Sequence, residues 1–351
     1  MIADIIVGLQ HGDCGKGKIT HHLCKEGNYT HVIRYNGGCN AGHTIMHEGK
    51  RFVTHHIPAG VFFGIKSIIG PGCVVNIKQF FHELDELEEQ LGSHIRDLVK
   101  IAKNAHVITD KHLDEDSDDT EIGTTKRGNG PAYRDKYNRQ GVRAQEMEIL
   151  EPFLVDMYEE LHGVPKMEEG MLTLDLKLHN LRAPVILCEG AQGFGLDIDW
   201  GDYPYVTSSH CTAAGALLNG IPPHAVRNIW GVAKIYETYV GNKKFQPDDV
   251  IFDALQSMGQ EYGATTGRPR QCNWLSWDTL EKAIKINGVT DIIFNKTDVL
   301  KQMRTWKIRE KDKIYNFDSE EEMKNWIVGK LSSVSHTLSR SVCFSGNPNG
   351  I

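Results

Sequence analysis

The chain has 351 residues, 40% hydrophobic and 24% charged, with 46 acidic against 39 basic side chains and a formal net charge of −7. That balance excludes broad electrostatic binding to nucleic acid. No apolar run is long enough to cross a membrane, and residues 1–9 lack the basic start of a secretory leader.

The eight cysteines are scattered without a C-x-x-C pair, which points to reduced thiols in a cytoplasm and away from a zinc site. The pairs His21-His22 and His55-His56 are poor chelates, because neighbouring side chains point apart.

Taken in chain order, Ile5–Val7 reads as a short strand. It runs into Gly8-Leu-Gln-His-Gly-Asp-Cys-Gly-Lys-Gly-Lys-Ile19, followed by a segment that can continue as a helix. Glycines let successive backbone N–H groups curl round a phosphate, and Lys16 and Lys18 add charge at a helix N-terminus. Gly12 to Lys18 fits the G-x-x-x-x-G-K spacing of a P-loop. Ile19, however, stands where a P-loop has the hydroxyl that binds Mg²⁺. Any metal here needs another oxygen, and Asp13 is the nearest. A carboxylate among phosphate-binding amides makes sense if it meets a cation or takes a proton.

His31–Tyr35 reads as a second strand, followed by Asn36-Gly-Gly-Cys-Asn-Ala-Gly-His-Thr44. Asn40 and His43 are its polar groups, and a His there can act as an acid or assist a transferring phosphoryl group. Ser67–Ile69 is a third strand. Ile77–Gln90 reads as a helix, with Ile77, Phe80, Phe81, Leu84 and Leu87 recurring at three and four. The acidic run Asp114–Glu121 reads as a solvated loop. Ile122–Tyr133 brings together Thr124, Thr125, Lys126 and Arg127, the ingredients of a second phosphate pocket, with Arg139 and Arg143 after it.

Val185–Cys188 is a further strand and leads into Glu189-Gly-Ala-Gln-Gly193. The Gln192 amide can read a base edge. The cluster continues through Asp197 and Asp199 to Tyr203–Ser209. Asn228–Val232 is a strand. In Gly263–Arg270, the hydroxyls of Thr265 and Thr266 with Arg268 and Arg270 suit a small carboxylate substrate. Residues 277–287 read as a helix, with Leu280, Ala283 and Ile284 on one face. Ile292–Asn295 is a strand ending in Asn295-Lys-Thr-Asp298, the N-K-x-D pattern by which nucleotide switches read guanine.

Strand and helix alternate. The expected fold is α/β, a mainly parallel central sheet flanked by helices, with a P-loop-like nucleotide site at the C-terminal strand ends. With no Pro/Ser linker, residues 1–351 are expected to form a single domain. A non-synthetic guanine-nucleotide switch would use the first and last clusters only, leaving the third, fourth and fifth without a role.

Together the six clusters resemble the adenylosuccinate synthetases. The resemblance runs from residue 5 to about residue 300 and is carried by Gln10–Lys18, Asn40–Thr44 with His56-Ile-Pro58, Gly123–Tyr133, Glu189–Gly193, Tyr203–Ser209 and Gly263–Arg270. It implies a ligase that joins L-aspartate to C6 of a 6-oxopurine nucleotide through a 6-phosphoryl intermediate, with Mg²⁺. Asp13 would take the N1 proton and, with the Gly42 backbone, ligate the metal. His43, Lys16 and Gln192 would serve catalysis, His43 as a cation beside the transferring phosphoryl group. Gly12, Asp13, Cys14, Gly15, Lys16, Gly17 and Lys18 would hold the triphosphate. Asn295, Lys296, Asp298, Ser345 and Gly346 would frame the donor base. Asn40, Thr124, Thr125, Gln192, Thr207 and Arg139 of a neighbouring subunit in a homodimer would hold the purine monophosphate. Thr265, Thr266, Arg268 and Arg270 would bind aspartate.

The sequence also departs from the usual family pattern. His11 and Cys14 stand in place of Trp and Glu, Lys126 and Asn129 in place of Gly and Ile, and Gln271 in place of Arg. The stretches after Arg143 and after Asp298 are short. This compact form resembles the bacteriophage branch, the 2-amino-2′-deoxyadenylo-succinate synthases, which use dGMP in place of IMP toward 2-aminoadenine DNA. Replacing Glu by Cys14 would remove bulk near the site and leave room for a 2-amino group. N-K-x-D read alone favours GTP as donor, whereas the phage branch implies ATP or dATP; the expectation here is dGMP with ATP. The implied location is the cytoplasm, that of the host for a phage protein, with no nucleic acid or membrane partner.

Overall fold

The computed structural model describes residues 1–40, 42–118, 122–163, 183–263, 267–334 and 341–347. Ile5, Ile6 and Val7 are fully enclosed in β1 (Ile2–Gly8), which is apolar on both faces because it lies mid-sheet. Next come β2 (His31–Arg34), β3 (His43–His47), β4 (Lys50–Thr54), β5 (Lys66–Ile69), β6 (Val74–Val75), β7 (Val99–Ala102), β8 (His106–Val107) and β9 (Leu154–Val155). They are followed by β10 (Val185–Glu189), β11 (Val226–Lys234), β12 (Tyr236–Tyr239), β13 (Gln271–Ser276), β14 (Asp291–Asn295), β15 (Trp306–Glu310), β16 (Lys313–Phe317) and β17 (Ser341–Ser345).

Among the described residues, nine strands form one sheet in the order β17-β14-β11-β1-β10-β2-β5-β7-β9, and every neighbouring pair is parallel. Each strand expected from the sequence lies in it. Register brings the clusters to one edge. Glu189 at the end of β10 pairs with Arg34 at the end of β2, Gly8 pairs with Val232, and Lys234, Asn295 and Ser345 line up across β11, β14 and β17. Ligand-binding loops of parallel sheets lie beyond these C-terminal ends.

A smaller sheet, β12-β13-β15-β16, is mixed, and β3 and β4 make a separate antiparallel hairpin. The smaller sheet was not expected. Two of its strands, Trp306-Lys-Ile-Arg-Glu310 and Lys313-Ile-Tyr-Asn-Phe317, alternate polar and apolar residues and carry no long apolar run.

Both expected helices form. Ile77–Leu91 starts where the Asn76 side chain accepts the Gln79 N–H at 3.0 Å, and it buries Phe80, Leu84 and Leu87. Trp277–Asn287 starts at Ser276 and stops at the left-handed Gly288. The acidic run departs from expectation. Its first residues are the last turn of the helix Asp110–Ser117, Asp116 is buried, and Asp116 Oδ2 accepts the Gly128 N–H at 2.7 Å. The run is therefore a support for the third cluster; residues 119–121 lie outside the described residues. No described helix is long and apolar enough to cross a membrane.

Phe80 is fully buried in the main core against Phe81 and Phe153. Phe80→Ala is expected to cost about 3–5 kcal/mol in urea unfolding. A loss below about 1 kcal/mol would contradict this packing.

Candidate active site

The phosphate loop turns out of β1 through Gly12, Asp13 and Gly15, all at positive φ, and enters the helix Lys16–Glu26. A side chain on Gly15 would meet Asn295 Nδ2, and one on Gly17 would meet His43 Cβ. Glycine at these two places lets the N-K-x-D strand end and the β3 hairpin close on the loop. Ile19 is buried in an apolar cluster with Ile6, Val32 and Leu187, so that position presents no hydroxyl to a ligand.

A cavity of about 990 Å³ opens over the loop. It is lined by the whole run Gly12–Lys18 together with Asn40, Gly42, His43, Thr124, Thr125, Gln192, Thr207, Arg270, Asn295, Lys296, Asp298, Ser345 and Gly346. The clusters chosen from the sequence therefore meet in one chamber. Arg139 is exposed at the end of the helix Asn129–Tyr137, away from its own chain's cavity. Arg268 is directed at the carbonyls of Gly123 and Thr124, at 3.3 and 3.4 Å. Thr265 and Thr266 lie outside the described residues.

The wall beside the loop is a buried ion network. Glu189 is fully buried, accepts His43 Nδ1–H and the Ala59 N–H at 2.9 Å, and forms an ion pair with Arg34 Nη1 at 3.2 Å. Burial opposes its ionisation, but Arg34 and His43 prevail and hold its carboxyl at about 2. Burial first, and then Arg34, push His43 down to about 4 against the pull of Glu189. At neutral pH the ring is uncharged, so the expected cationic His is corrected. The fixed positive charge there belongs to Arg34, whose Nη1 lies 2.9 Å from each ring nitrogen. Arg34 also donates to the His55 carbonyl at 3.0 Å, and buried Glu83 accepts the N–H groups of His55, His56 and Ile57.

A second network grips Asp13, which is 38% exposed. Arg270 Nε lies 2.7 Å from Asp13 Oδ2, and Arg270 Nη1 lies 2.7 Å from Glu261. Glu261 also accepts from Lys234 at 2.7 Å and from the Tyr236 hydroxyl at 2.6 Å. The cation chosen for aspartate binding thus touches the base chosen for catalysis.

Other site residues have defined partners. Lys16 donates to the Gln192 carbonyl. Lys18 donates to Ser345 Oγ at 2.9 Å and the Asn347 carbonyl at 2.8 Å, and burial lowers it to about 8. The Gln192 amide bridges Asn40 and Asn36, so it braces the acceptor loop. Asn295 Nδ2 donates to the Cys14 carbonyl at 2.8 Å. The Asp298 carboxylate accepts no hydrogen bond among the described residues and faces the chamber. Cys14 Sγ is buried in the apolar cluster under the loop and lies 3.9 Å from Lys16 Nζ. Asp197 accepts the N–H groups of Asp199, Trp200 and Cys211, a structural task.

Sequence reasoning missed Arg34, Glu83, Lys234 and Glu261. Glu83 had a signal: it falls on the apolar stripe of its helix, three after Phe80 and four before Leu87. Glu261 had none.

The adenylosuccinate synthetase family model matches residues 5–179 and 164–336. The adenylosuccinate synthetase of Caldanaerobacter subterraneus subsp. tengcongensis is 37% identical over 346 residues, covering 88% of this chain and 80% of that protein. That of Chlorobium chlorochromatii is 38% identical, covering 88% and 79%. The chain belongs to the adenylosuccinate synthetase family. It is thereby a member of a family of C–N bond-forming ligases. Fully ligated adenylosuccinate synthetase from Plasmodium falciparum superposes with a TM-score of 0.79 at 28% identity, covering 99% of this chain and 97% of that one. The fold is also that of cyanophage S-2L succinoaminodeoxyadenylate synthetase, PurZ, bound to dGMP and dATP, with a TM-score of 0.72 at 22% identity, covering 99% and 93%.

Two measurements check the electrostatics. The His43 imidazole should titrate by NMR near pH 4; titration near 6.5 would contradict its burial against Arg34. Lys18 is charged below about 8, so triphosphate affinity measured by calorimetry should weaken as pH rises through that value. A flat profile from pH 7 to 9 would remove Lys18 from the phosphate site.

Proposed function

We propose that this chain joins the amine of L-aspartate to C6 of a 6-oxopurine nucleoside monophosphate, with a nucleoside triphosphate phosphorylating O6 first. What carries the reading is the meeting, in one chamber, of a phosphate loop, a carboxylate inside that loop, and an Arg on the carboxylate. Asp13 takes the N1 proton, which moves charge onto O6. O6 attacks the γ-phosphorus and the nucleoside diphosphate leaves. The aspartate amine then attacks C6, and inorganic phosphate departs with O6. Lys16, Arg34 and the loop amides are fixed before the reaction, so they offset developing charge without reorganising. Neutral His43, oriented by Glu189, borders the transferring group. Arg270, with Arg268 beside it, receives the aspartate carboxylates.

The donor set fits Mg²⁺, which favours hard oxygen ligands and substrate phosphates. Asp13 keeps one oxygen free of Arg270, and the Gly42 carbonyl lies on the same chamber. When bound, Mg²⁺ supplies neutralisation of triphosphate charge.

For the acceptor, the relatives at 37–38% identity support IMP. For the donor, Asp298 supports GTP, because a free carboxylate there can accept from guanine N1–H and its 2-amino group. A second reading is dGMP as acceptor with ATP or dATP as donor, in the manner of a phage enzyme serving 2-aminoadenine synthesis. It is supported by the dGMP and dATP held by the cyanophage relative in fold, and by Asn129. That side chain is 6% exposed, lines the chamber, and has neither amide atom bonded among the described residues. A nucleotide with one more hydrogen-bonding group would partner it. Exposed Arg139 fits a role in the neighbouring site of a homodimer.

The test is product mass spectrometry with aspartate, Mg²⁺ and separate IMP, GMP and dGMP, each with GTP and with ATP. A succino-adduct of IMP made with GTP is expected. An adduct of dGMP made with ATP would replace it by the second reading, and no adduct from any combination would overturn both. Asp13→Ala and His43→Ala should each lower turnover by about 10²–10⁴ while triphosphate still binds. Unchanged turnover in either would overturn its role.

A further inference from the structure

A second cavity, of about 580 Å³, lies between the smaller sheet and the loop 243–249, and none of the six sequence clusters accounts for it. Its floor is built by register. Glu237 of β12 sits opposite Asn273 of β13, and Arg309 of β15 lies beside Ser276 of β13. His11 of the phosphate loop closes one side, with Phe245 at a ring distance of 5.1 Å. Phe252 and Trp274 add aromatic surface.

Among the described residues, three buried polar atoms bordering this cavity have no hydrogen-bond partner: Glu237 Oε1, His11 Nδ1 and Arg309 Nε. Glu237 is 1% exposed and His11 is 7% exposed. The other charges around the cavity are already engaged. Asp202 accepts from His11 Nε2 at 2.9 Å and from Lys243, Lys244 pairs with Asp248 at 2.6 Å, and Asp249 caps the Ile251 N–H. One carboxylate oxygen, one imidazole nitrogen and one guanidinium N–H therefore remain.

The geometry points to a binding site for a free α-amino acid with an apolar side chain. Its ammonium donates to Glu237 Oε1, its carboxylate accepts from Arg309, and its side chain packs on Phe245, Phe252 and Trp274. A metal cation would leave Arg309 unmatched and an anion would meet Glu237. Glu237 already has the Ser276 N–H and the nearby charge of Arg309, and a neutral molecule would add no charge to either group. A zwitterion satisfies both. Burial raises the Glu237 carboxyl above its ordinary value, and an ammonium beside it would oppose that shift. Because His11 also lines the main chamber, an occupant here touches the phosphate loop directly. This inference does not rest on the proposed ligase reaction.

The test is isothermal titration calorimetry of the whole protein with L-phenylalanine and L-leucine, then with N-acetyl-L-phenylalanine and L-phenylalaninamide. Saturable binding of the free amino acids is expected, weakened by about tenfold or more when either charged end is capped. Glu237→Gln should weaken it by a similar factor while leaving triphosphate binding intact. Absence of saturable heat from both free amino acids would overturn the site. So would capped ligands binding as well as free ones, or heat with L-aspartate alone, which would report the main chamber. The capped ligands keep the test decisive even if the variant does not fold.

Discussion

Glu189 is the residue on which the rest of the site depends. It ends β10 in the middle of a parallel sheet, with no exposure to solvent, and it is ionised. A charge so placed is stable only with partners, and removing one partner of a buried pair costs about 3–5 kcal/mol. Arg34 on the adjacent strand, the His43 ring and the Ala59 amide are those partners. The requirement fixes three segments relative to each other. The β3 hairpin that starts at His43 is pulled against the phosphate-loop helix, where Gly17 leaves it room. Arg34 and Glu83 then hold the segment 55–57 behind it.

The opposite wall repeats the device with different residues. Glu261 is also fully buried, and Lys234, Arg270 and Tyr236 surround it. Through Arg270 the network reaches Asp13 Oδ2, and Asp13 Oδ1 has no partner among the described residues. The phosphate loop thus lies between two buried carboxylates, Glu189 held by buried Arg34 and Glu261 held by Lys234 and Arg270, which also line the chamber. Such an arrangement holds charge in place in a low dielectric, the condition under which fixed dipoles and ions stabilise a transition state most. Glycines in the loop add backbone freedom where side chains would collide with Asn295 and His43.

Much of this was legible in the sequence and some was not. The large sheet could be read because β1, β10, β11 and β14 are short apolar runs, each followed by a polar or glycine-rich turn. The smaller sheet could not, since half of its strand residues face water or the second cavity. Glycine-loop residues were legible because their chemistry is local: Asp13, Lys16, Asn40 and Gln192 announce themselves by their neighbours. Arg34, Lys234 and Glu261 act through strand register across distances of more than a hundred residues, or through one buried contact, and nothing nearby in sequence marks that. His43 was found, but its charge was misread, because neutrality follows from burial beside Arg34.

The central claim is that O6 of the acceptor leaves as part of inorganic phosphate after Asp13 has made it nucleophilic. Running the reaction with the acceptor labelled with ¹⁸O at O6, and weighing the phosphate released, tests it most directly. The account predicts one labelled oxygen per phosphate, with both label transfer and adduct lost in Asp13→Ala. Adduct formation with unlabelled phosphate would contradict it, because the oxygen would then have left by another route.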